Sequence, residues 1–197
     1  MWVYIGTSEL KNVYIGEVYE YSYDFRNKTL AWIQSDWWSL NTTSSVSVDS
    51  NWIRRSVSDW GRLYRTLPSL SSANRIVYNA QIKSNWWWYW HYNRIWDLAS
   101  WWGISDATGL YSNDTKISIQ LLDVATDYNV SISSGTYTVS MDFDLKNKLI
   151  TYTFSWKWTY TKTLTDSDVT AIRGKGYLWI WFASSVFYVQ TMSIKIE

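Results

Sequence analysis

The chain has 197 residues and is rich in aromatic side chains, with 17 tryptophans and 16 tyrosines against a single proline. Its 18 Lys and Arg and 17 Asp and Glu give a formal net charge of +1, so charge offers no argument for a nucleic-acid or anionic-membrane partner. Zero cysteines and a single histidine, His91, exclude disulfides, thiolate metal sites, a cysteine nucleophile and any multi-histidine metal site within one chain. The length predicts one domain, and the aromatic content favours β structure.

A short repeat stands at the N-terminal end, where the tetrapeptide VYIG occurs at residues 3–6 and again at 13–16. A two-stranded ribbon is only marginally stable in water, so we predict that residues 1–22 form a β arm that docks on its own domain or on another chain. Two edge strands of the same domain are the alternative. The predicted assembly residues of the arm are Val3, Tyr4, Ile5, Val13, Tyr14 and Ile15. Residues 23–197 form the predicted main domain.

Export and membrane insertion have no signal in this sequence. Residues 1–4 do not begin a basic segment followed by an apolar one, so we expect synthesis without a secretory signal peptide. The longest apolar run, residues 177–183, is far shorter than the ~20 residues of a membrane helix. We therefore predict neither a nucleic-acid nor a membrane partner.

Alternating apolar and polar residues predict strands at 18–25, which places four aromatic residues on one side, and at 74–83. Residues 26–73 carry Ser, Thr and Asn among scattered tryptophans, and we expect short strands and long loops there. Residues 95–102 place apolar side chains at helical spacing and predict a short helical turn. Residues 117–122 predict a further strand, followed by a loop.

The strongest β pattern lies at 136–158. Residues 136–144 alternate, a polar turn follows, and the alternation resumes at 150–158. Two long strands joined by a short turn that contains Asp and Asn predict an antiparallel hairpin with one row of side chains in the core. The outer row is polar with one charge, which suits weak contacts: Thr136, Thr138, Ser140 and Asp142.

Three segments complete the chain. Residues 159–176 are polar and contain a Gly-Lys-Gly turn, so they predict a loop that crosses between sheets. Residues 177–182 are apolar on both faces, which indicates either a central strand covered on both sides or an exposed aromatic ladder. Residues 186–197 predict the last strand.

Aromatic residues supply the candidate binding site. Residues 85–93 read NWWWYWHYN, and the apolar C–H faces of sugars stack on such rings. The alternative for each ring is a place in the core or under a neighbouring subunit. The candidate carbohydrate-binding residues, taken from this segment and from residues 177–182, are Trp86, Trp88, Trp90, Asn93, Trp179 and Trp181.

The order of elements in the second half resembles the concanavalin A-like lectin and glucanase superfamily. A long strand at 136–144 is followed by a second strand at 149–158, a polar loop at 159–176, a hydrophobic strand that opens with Gly176, and a closing strand at 186–196. The resemblance implies an all-β fold, a jelly-roll β-sandwich of two antiparallel sheets.

The N-terminal arm resembles segments of some bacteriophage virion proteins, in which short strands of the VYIGTTKV type precede a lectin-like domain. In this chain the matching residues are the two VYIG units and the following segment 17–21. The resemblance implies a component of a phage-like particle.

Hydrolysis of glycans is not predicted. Glycosidases of the superfamily carry a Glu-x-Asp-x-x-Glu strand, because retaining hydrolysis needs two carboxylates ~5 Å apart. The four glutamates of this chain stand at positions 9, 17, 20 and 197, outside such a pattern. Asp142 and Asp144 belong to a predicted strand end and turn. We therefore predict no catalytic residues and no enzyme.

Calcium binding stays open. Legume-type lectins of the superfamily hold Ca²⁺ with carboxylate and carbonyl oxygens from a short loop. Asp123, Asp127 and Asn129 offer such oxygens at loop spacing, but the further Asp and His ligands of the family have no match here. We predict no metal and no cofactor.

Together these observations predict a non-catalytic structural or host-attachment component of a phage-like virion, such as a decoration, fibre or tail protein. We expect it to be made in the host cytoplasm and to reside in the particle. Its expected partners are other virion proteins or further copies of itself, bound through the arm, with a host surface glycan as a further candidate. The alternatives are a free-standing carbohydrate-binding lectin module and a degenerate glycan hydrolase.

Overall fold

The computed structural model describes residues 13–15, 18–35, 39–40, 46–48, 53–55, 61–84, 91–96, 108–112, 116–121, 124–129, 135–155, 158–182 and 187–197. Two short helices lie in these ranges, α1 (Leu30–Ser35) and α2 (Asp166–Arg173). The strands are β1 (Val13–Ile15), β2 (Val18–Asp24), β3 (Ser39–Leu40), β4 (Val46–Val48), β5 (Ile53–Arg55), β6 (Gly61–Thr66), β7 (Arg75–Ser84), β8 (His91–Trp96), β9 (Thr108–Ser112), β10 (Lys116–Leu121), β11 (Val124–Asn129), β12 (Gly135–Asp144), β13 (Leu149–Phe154), β14 (Trp158–Thr163), β15 (Tyr177–Phe182) and β16 (Phe187–Ile196).

The strands form two antiparallel sheets. Among the described residues, the larger sheet has nine strands: seven follow the order β1-β2-β16-β7-β12-β13-β14, β5 pairs with β16, and β4 pairs with β5. The smaller sheet has seven described strands in the order β11-β10-β9-β8-β15-β6-β3. One hydrophobic core contains side chains from both sheets, among them Phe143 of the larger sheet and Ile119 and Leu178 of the smaller sheet. The predicted β-sandwich of two antiparallel sheets is confirmed.

The central hairpin forms because one face of each strand is apolar. In β12 and β13 every second side chain is buried, and Phe143 pairs with Ile150 while Met141 pairs with Tyr152. The turn between the strands is held by Asp144, whose carboxylate accepts the Asn147 backbone N–H at 3.0 Å and the Asn147 side-chain amide at 2.8 Å. The predicted hairpin is confirmed, although its second strand ends at Phe154.

The strands predicted at 18–25 and 74–83 are confirmed as β2 and β7. β16 lies between them and pairs with both, so segments from the two ends of the described chain meet at the middle of the larger sheet. The domain boundary predicted after residue 22 falls inside β2, whose Tyr19, Tyr21 and Tyr23 are buried in the core. Residues 18–22 therefore belong to the sandwich.

The loop predicted at 159–176 is wrong, because the segment contains β14 and α2. β14 extends the larger sheet by pairing with β13. α2 begins with a capping box, in which the Thr165 hydroxyl accepts the Asp168 N–H at 3.1 Å and the Asp168 carboxylate accepts the Thr165 N–H at 2.8 Å. Val169 and Ile172, on the inner side of the helix, are buried.

Two smaller predictions also fail. The predicted loop that carries Asp127 and Asn129 is a strand, β11, which pairs along its whole length with β10. The helical turn predicted to begin at Ile95 is wrong for its first two residues, since Ile95 and Trp96 end β8. The other residues of that turn, and Asp123, lie outside the described residues.

β15 has a neighbour on each edge, β8 on one side and β6 on the other, and Leu178 is fully buried. It is therefore a central strand of the smaller sheet. In the part of the chain that the structure describes, no helix has the length and apolar character needed to cross a membrane.

Candidate functional site

The residues predicted to stack on sugars fall into two groups of three. Three of the six lie outside the described residues: Trp86, Trp88 and Trp90. The other three lie on the paired strands β8 and β15, but their register does not align them: Asn93 is opposite Ile180, whereas Trp179 and Trp181 are opposite Arg94 and Tyr92. Their part in binding stays a prediction.

The predicted assembly residues divide in the same way. Val3, Tyr4 and Ile5 lie outside the described residues. Val13, Tyr14 and Ile15 form β1, which pairs with β2 at one end of the strand path of the larger sheet. Among the described strands β1 is therefore at the edge of the sheet, a position from which a strand can pair with another chain, and the assembly role itself stays a prediction.

A concavity of about 650 Å³ lies on the outer face of the larger sheet, within the size range of ligand pockets. It crosses four neighbouring strands, β2, β16, β7 and β12, and we call it the polar trough. Residues next to its lining side chains, such as Tyr23, Ala80 and Met192, are buried on the opposite face of the sheet. The outward side chains that line the trough are Ser22, Asp24, Asn79, Gln81, Thr138, Thr191 and Ser193.

Strand register arranges these side chains in two transverse rows. Ser22, Ser193 and Asn79 stand opposite one another on β2, β16 and β7. The second row, two residues further along each strand and ~7 Å away, consists of Asp24, Thr191, Gln81 and Thr138. The trough is therefore built by pairing between strands that are distant in sequence.

A β-bulge shapes one end of the trough. The register of β16 against β7 shifts between Val189 and Thr191, so Gln190 is the extra residue. Its carbonyl accepts the Phe25 N–H at 2.9 Å, which anchors the bulge to the end of β2. A bulge bends its strand and increases the local twist, and here it adjoins the trough residue Thr191.

The trough is polar but close to electrically neutral. Asp24 is the one ionisable side chain among its seven outward lining residues, and its carboxylate accepts hydrogen bonds from the Arg26 backbone N–H at 2.9 Å and from the Arg26 guanidinium. Partial burial raises the pKa of Asp24, but the hydrogen bonds and charge of Arg26 outweigh burial and hold that pKa below its ordinary value. Asp24 is therefore ionised and paired at neutral pH.

This chemistry supports binding and does not supply a reaction. Glycoside hydrolysis needs two carboxyl groups, one of them able to donate a proton, and the lining side chains of the trough contain one salt-bridged carboxylate. Hydroxyls and amides can donate and accept hydrogen bonds with a polyhydroxylated ligand. Among the described residues, no three His, Asp or Glu side chains are grouped so that they could hold a metal ion.

A second aromatic group, which sequence reasoning missed, closes one side of the sandwich. Tyr128 of β11 lies 5.0 Å from Trp158 and 5.1 Å from Tyr160 of β14, measured between ring centroids, and the Trp158 and Tyr160 rings are stacked. Burial, then a hydrogen bond with Tyr160, raises the pKa of Tyr128 to about 12. We call these three residues the aromatic seam, because β11 and β14 each end the strand order of their sheet.

The two features differ in how far the sequence indicates them. The aromatic pair in β14 stands at alternate positions, a strand signal hidden by the polar residues around it. The trough is partly indicated, since Thr138 belongs to the polar outer row predicted for the central hairpin. Its other residues come from three further strands, and their proximity depends on long-range pairing.

No protein-family model and no curated protein matches the sequence. Solved structures do match the fold. A winged bean acidic lectin complexed with methyl-α-D-galactose matches with a TM-score of 0.66 and 9% identity, over 92% of this chain and 99% of the lectin. Peanut lectin with a nine-residue peptide matches with a TM-score of 0.64 and 13% identity, over 92% of this chain and 98% of that chain.

A phage protein shares the same architecture. The CBM2 module of the evolved Dit of Lactobacillus casei BL23 phage J-1 matches with a TM-score of 0.60 and 12% identity, over 89% of this chain and 94% of the module. At these identities the likeness concerns the fold. The fold is the concanavalin A-like jelly-roll β-sandwich of the legume lectins, as the order of elements in the second half predicted.

Proposed function

We propose that this chain is a non-catalytic carbohydrate-recognition domain that serves as a host-attachment or structural component of a phage-like particle. The observation that carries the proposal is the polar trough, a neutral concavity of hydroxyl and amide side chains on a lectin-type sandwich. Sugars bind through many hydrogen bonds to side chains of this kind, and specificity arises because an unpaired buried polar group costs free energy.

Two observations support a role in a phage-like particle. The fold is similar to that of a module from a phage protein, and the two VYIG units resemble the N-terminal segments of virion proteins. The second of these units begins with β1 (Val13–Ile15), which lies at one end of the strand path of the larger sheet and pairs with β2. We infer that the arm attaches the domain to the particle, which leaves the trough open for a host glycan. A free-standing lectin would share the glycan site and lack the attachment.

A glycan array followed by titration calorimetry on the strongest neutral hits tests recognition. We expect the double variant Asn79→Ala/Gln81→Ala to bind at least tenfold more weakly, because each lost hydrogen bond is worth about 1 kcal/mol. The matched control is Gln34→Ala, which removes an exposed amide from α1, an element that contributes no residue to the trough. Both variants should keep the circular dichroism spectrum and melting temperature of the parent.

Three outcomes separate the alternatives. Loss of binding in the trough variant alone supports the trough. Loss in Trp179→Ala with unchanged binding in the trough variant would move the site to the smaller sheet. Absence of any array signal would exclude glycan recognition.

Attachment is tested by light scattering on the full chain and on a chain that lacks residues 1–12. The truncation stops before β1, because removal up to residue 22 would cut β2, whose Tyr19 and Tyr21 are core residues. We expect self-association, or binding to a particle protein, in the full chain only. Two monomers without any bound particle protein would favour the free-standing lectin.

A further inference from the structure

One row of polar side chains extends from the polar trough across the rest of the larger sheet. We propose that the ligand is an extended, neutral, unbranched glycan that lies across the strands, with about one sugar ring on each of six strands. The proposal rests on the proposed function and names its substrate class: an internal stretch of a polysaccharide, as opposed to a terminal monosaccharide or disaccharide.

Strand register defines the track. The row that begins in the trough continues without interruption over β12, β13 and β14, and each of its positions carries a hydroxyl or an amide. Five steps of ~4.8 Å between strands carry the row over about 24 Å. Its members, in order across the sheet, are Ser22, Ser193, Asn79, Ser140, Thr153 and Thr159.

The side chains of the track are available for a ligand. All six are exposed or half-buried. Within the described part of the chain, none of them makes a side-chain hydrogen bond to another described residue, whereas in the neighbouring row the hydroxyls of Thr151 and Thr161 bond to each other at 3.2 Å. Free hydroxyls that recur at one strand spacing match an extended pyranose chain, which advances by a similar length per ring.

Charge sets the class of glycan. The track contains no ionisable side chain. Charged side chains stand in the adjoining rows, where Lys195, the cation nearest the track on β16, pairs with the Glu197 carboxylate. Arg75 donates to the Asp142 carboxylate through Nε at 2.9 Å and Nη2 at 2.6 Å on one side. Asp24 and Arg26 pair on the other. An anionic polysaccharide would find no free cation along the row, so a neutral chain is the complementary ligand.

The experiment measures affinity against chain length. The probes are three neutral series, β-1,4-linked glucose, N-acetylglucosamine and mannose, each from two to six rings, and an anionic galacturonate series of the same lengths. We expect the affinity for one neutral series to rise with each added ring up to about six. The galacturonate series should bind more weakly at every length.

The variant Thr153→Val/Thr159→Val tests the far end of the track, because valine keeps the shape and strand preference of threonine and removes the hydroxyl. We expect it to bind the six-ring chain at least fivefold more weakly and to bind the two-ring chain as the parent does, since short chains occupy the trough. Thr163→Val is the matched control, on the same strand and face as Thr159 but outside the track.

The possible outcomes distinguish the track from glycan recognition in the trough alone. Equal affinity for short and long chains, with no effect of Thr153→Val/Thr159→Val, overturns the track and leaves recognition in the trough intact. No binding of any neutral series overturns the track, and recognition itself then rests on the array. A dimer that the Thr153→Val/Thr159→Val variant disperses and six-ring glycans do not would show that this face binds a second copy.

Discussion

The two faces of the larger sheet are built from the same strands and do different things. On the inner face, Tyr78, Phe143 and Tyr152 are fully buried and pack with side chains of the smaller sheet. On the outer face, serine, threonine, asparagine and glutamine side chains form the track and, together with Asp24, the polar trough. Because successive side chains of a strand point to opposite faces, one stretch of sequence encodes both surfaces.

The difference separates stability from recognition. Burial of large apolar side chains is the main favourable term in folding, while exposed hydroxyls contribute little to it. The outer face is therefore free to vary in its hydrogen-bonding pattern without loss of the fold. Substitutions at inward-facing positions of a strand should therefore change stability, and substitutions at its outward-facing positions should change binding.

The largest effect is expected at the centre of the inner face. Phe143→Ala should lower the free energy of unfolding by about 3–5 kcal/mol, because it removes a fully buried ring and leaves a cavity. Urea unfolding followed by tryptophan fluorescence measures the change. Ser140→Ala, three positions earlier on the same strand and on the outer face, is the control and should change stability by less than ~0.5 kcal/mol. Equal losses in the two variants would contradict the division between faces.

A smaller effect is expected at the sheet edge, where inner and outer sides are less distinct. Tyr160 packs on Trp158 and Tyr128 in the aromatic seam but remains half-buried. Tyr160→Ala should cost about 1–2 kcal/mol, from lost area and ring contacts. Thr161→Ala on the same strand should lower the free energy of unfolding by less than ~1 kcal/mol, because it removes one hydrogen bond, to the Thr151 hydroxyl. A loss from Tyr160→Ala as large as that from Phe143→Ala would show that the seam is part of the central core.

Alternation of residue types predicted the parts of the fold in which one face is buried. β2, β7 and the β12–β13 hairpin follow from it, because burial of one face imposes a period of two on the sequence. The β14 pattern is weaker, since Lys162 occupies a position on the inner side and threonines fill the outer one. α2 has eight residues and two buried ones, so its clearest signal is the capping box at Thr165 and Asp168.

The candidate site was harder to predict than the fold. Residue type alone predicts sugar stacking for the aromatic segment 85–93. The trough, in contrast, consists of residue types that are common in any surface strand. Ser22, Asn79 and Ser193 are neighbours only because β16 lies between β2 and β7. The order of strands in a sheet is set by long-range pairing, which the pattern within one strand does not specify.

Alkaline pH should weaken the aromatic seam. The pKa of Tyr128 is raised to about 12 by burial and by its hydrogen bond with Tyr160, above the ordinary value of 10.0. Since the unfolded chain loses this proton first, the stabilisation is complete below pH ~10 and is lost as pH rises toward 12. The loss should stay below ~1.4 kcal/mol, because Tyr128 keeps contact with solvent.

The readout for this pH effect is the difference between parent and Tyr128→Phe in urea unfolding at pH 8 and at increasing alkaline pH. Burial also raises the pKa of Tyr78 and Tyr152, so both proteins lose stability at high pH, and the difference isolates Tyr128. We expect the variant to lose less stability between pH 10 and 12. Identical pH profiles would mean that the Tyr128 hydroxyl is not shielded by the seam.

The smallest effect is expected from the charged pair on the outer face. Asp142→Asn removes the carboxylate that Arg75 binds through two nitrogens, and the side chains remain 47% exposed for Arg75 and 28% for Asp142. The loss should be about 0.2–1 kcal/mol at low ionic strength and should shrink in molar salt, which screens exposed charges. Asp166→Asn is the matched control, because the Asp166 side chain is 87% exposed in its pair with Lys148 and should contribute less. A salt-independent loss above ~2 kcal/mol from Asp142→Asn would show that the outer face shares in holding the fold, and the two faces would then no longer be separable.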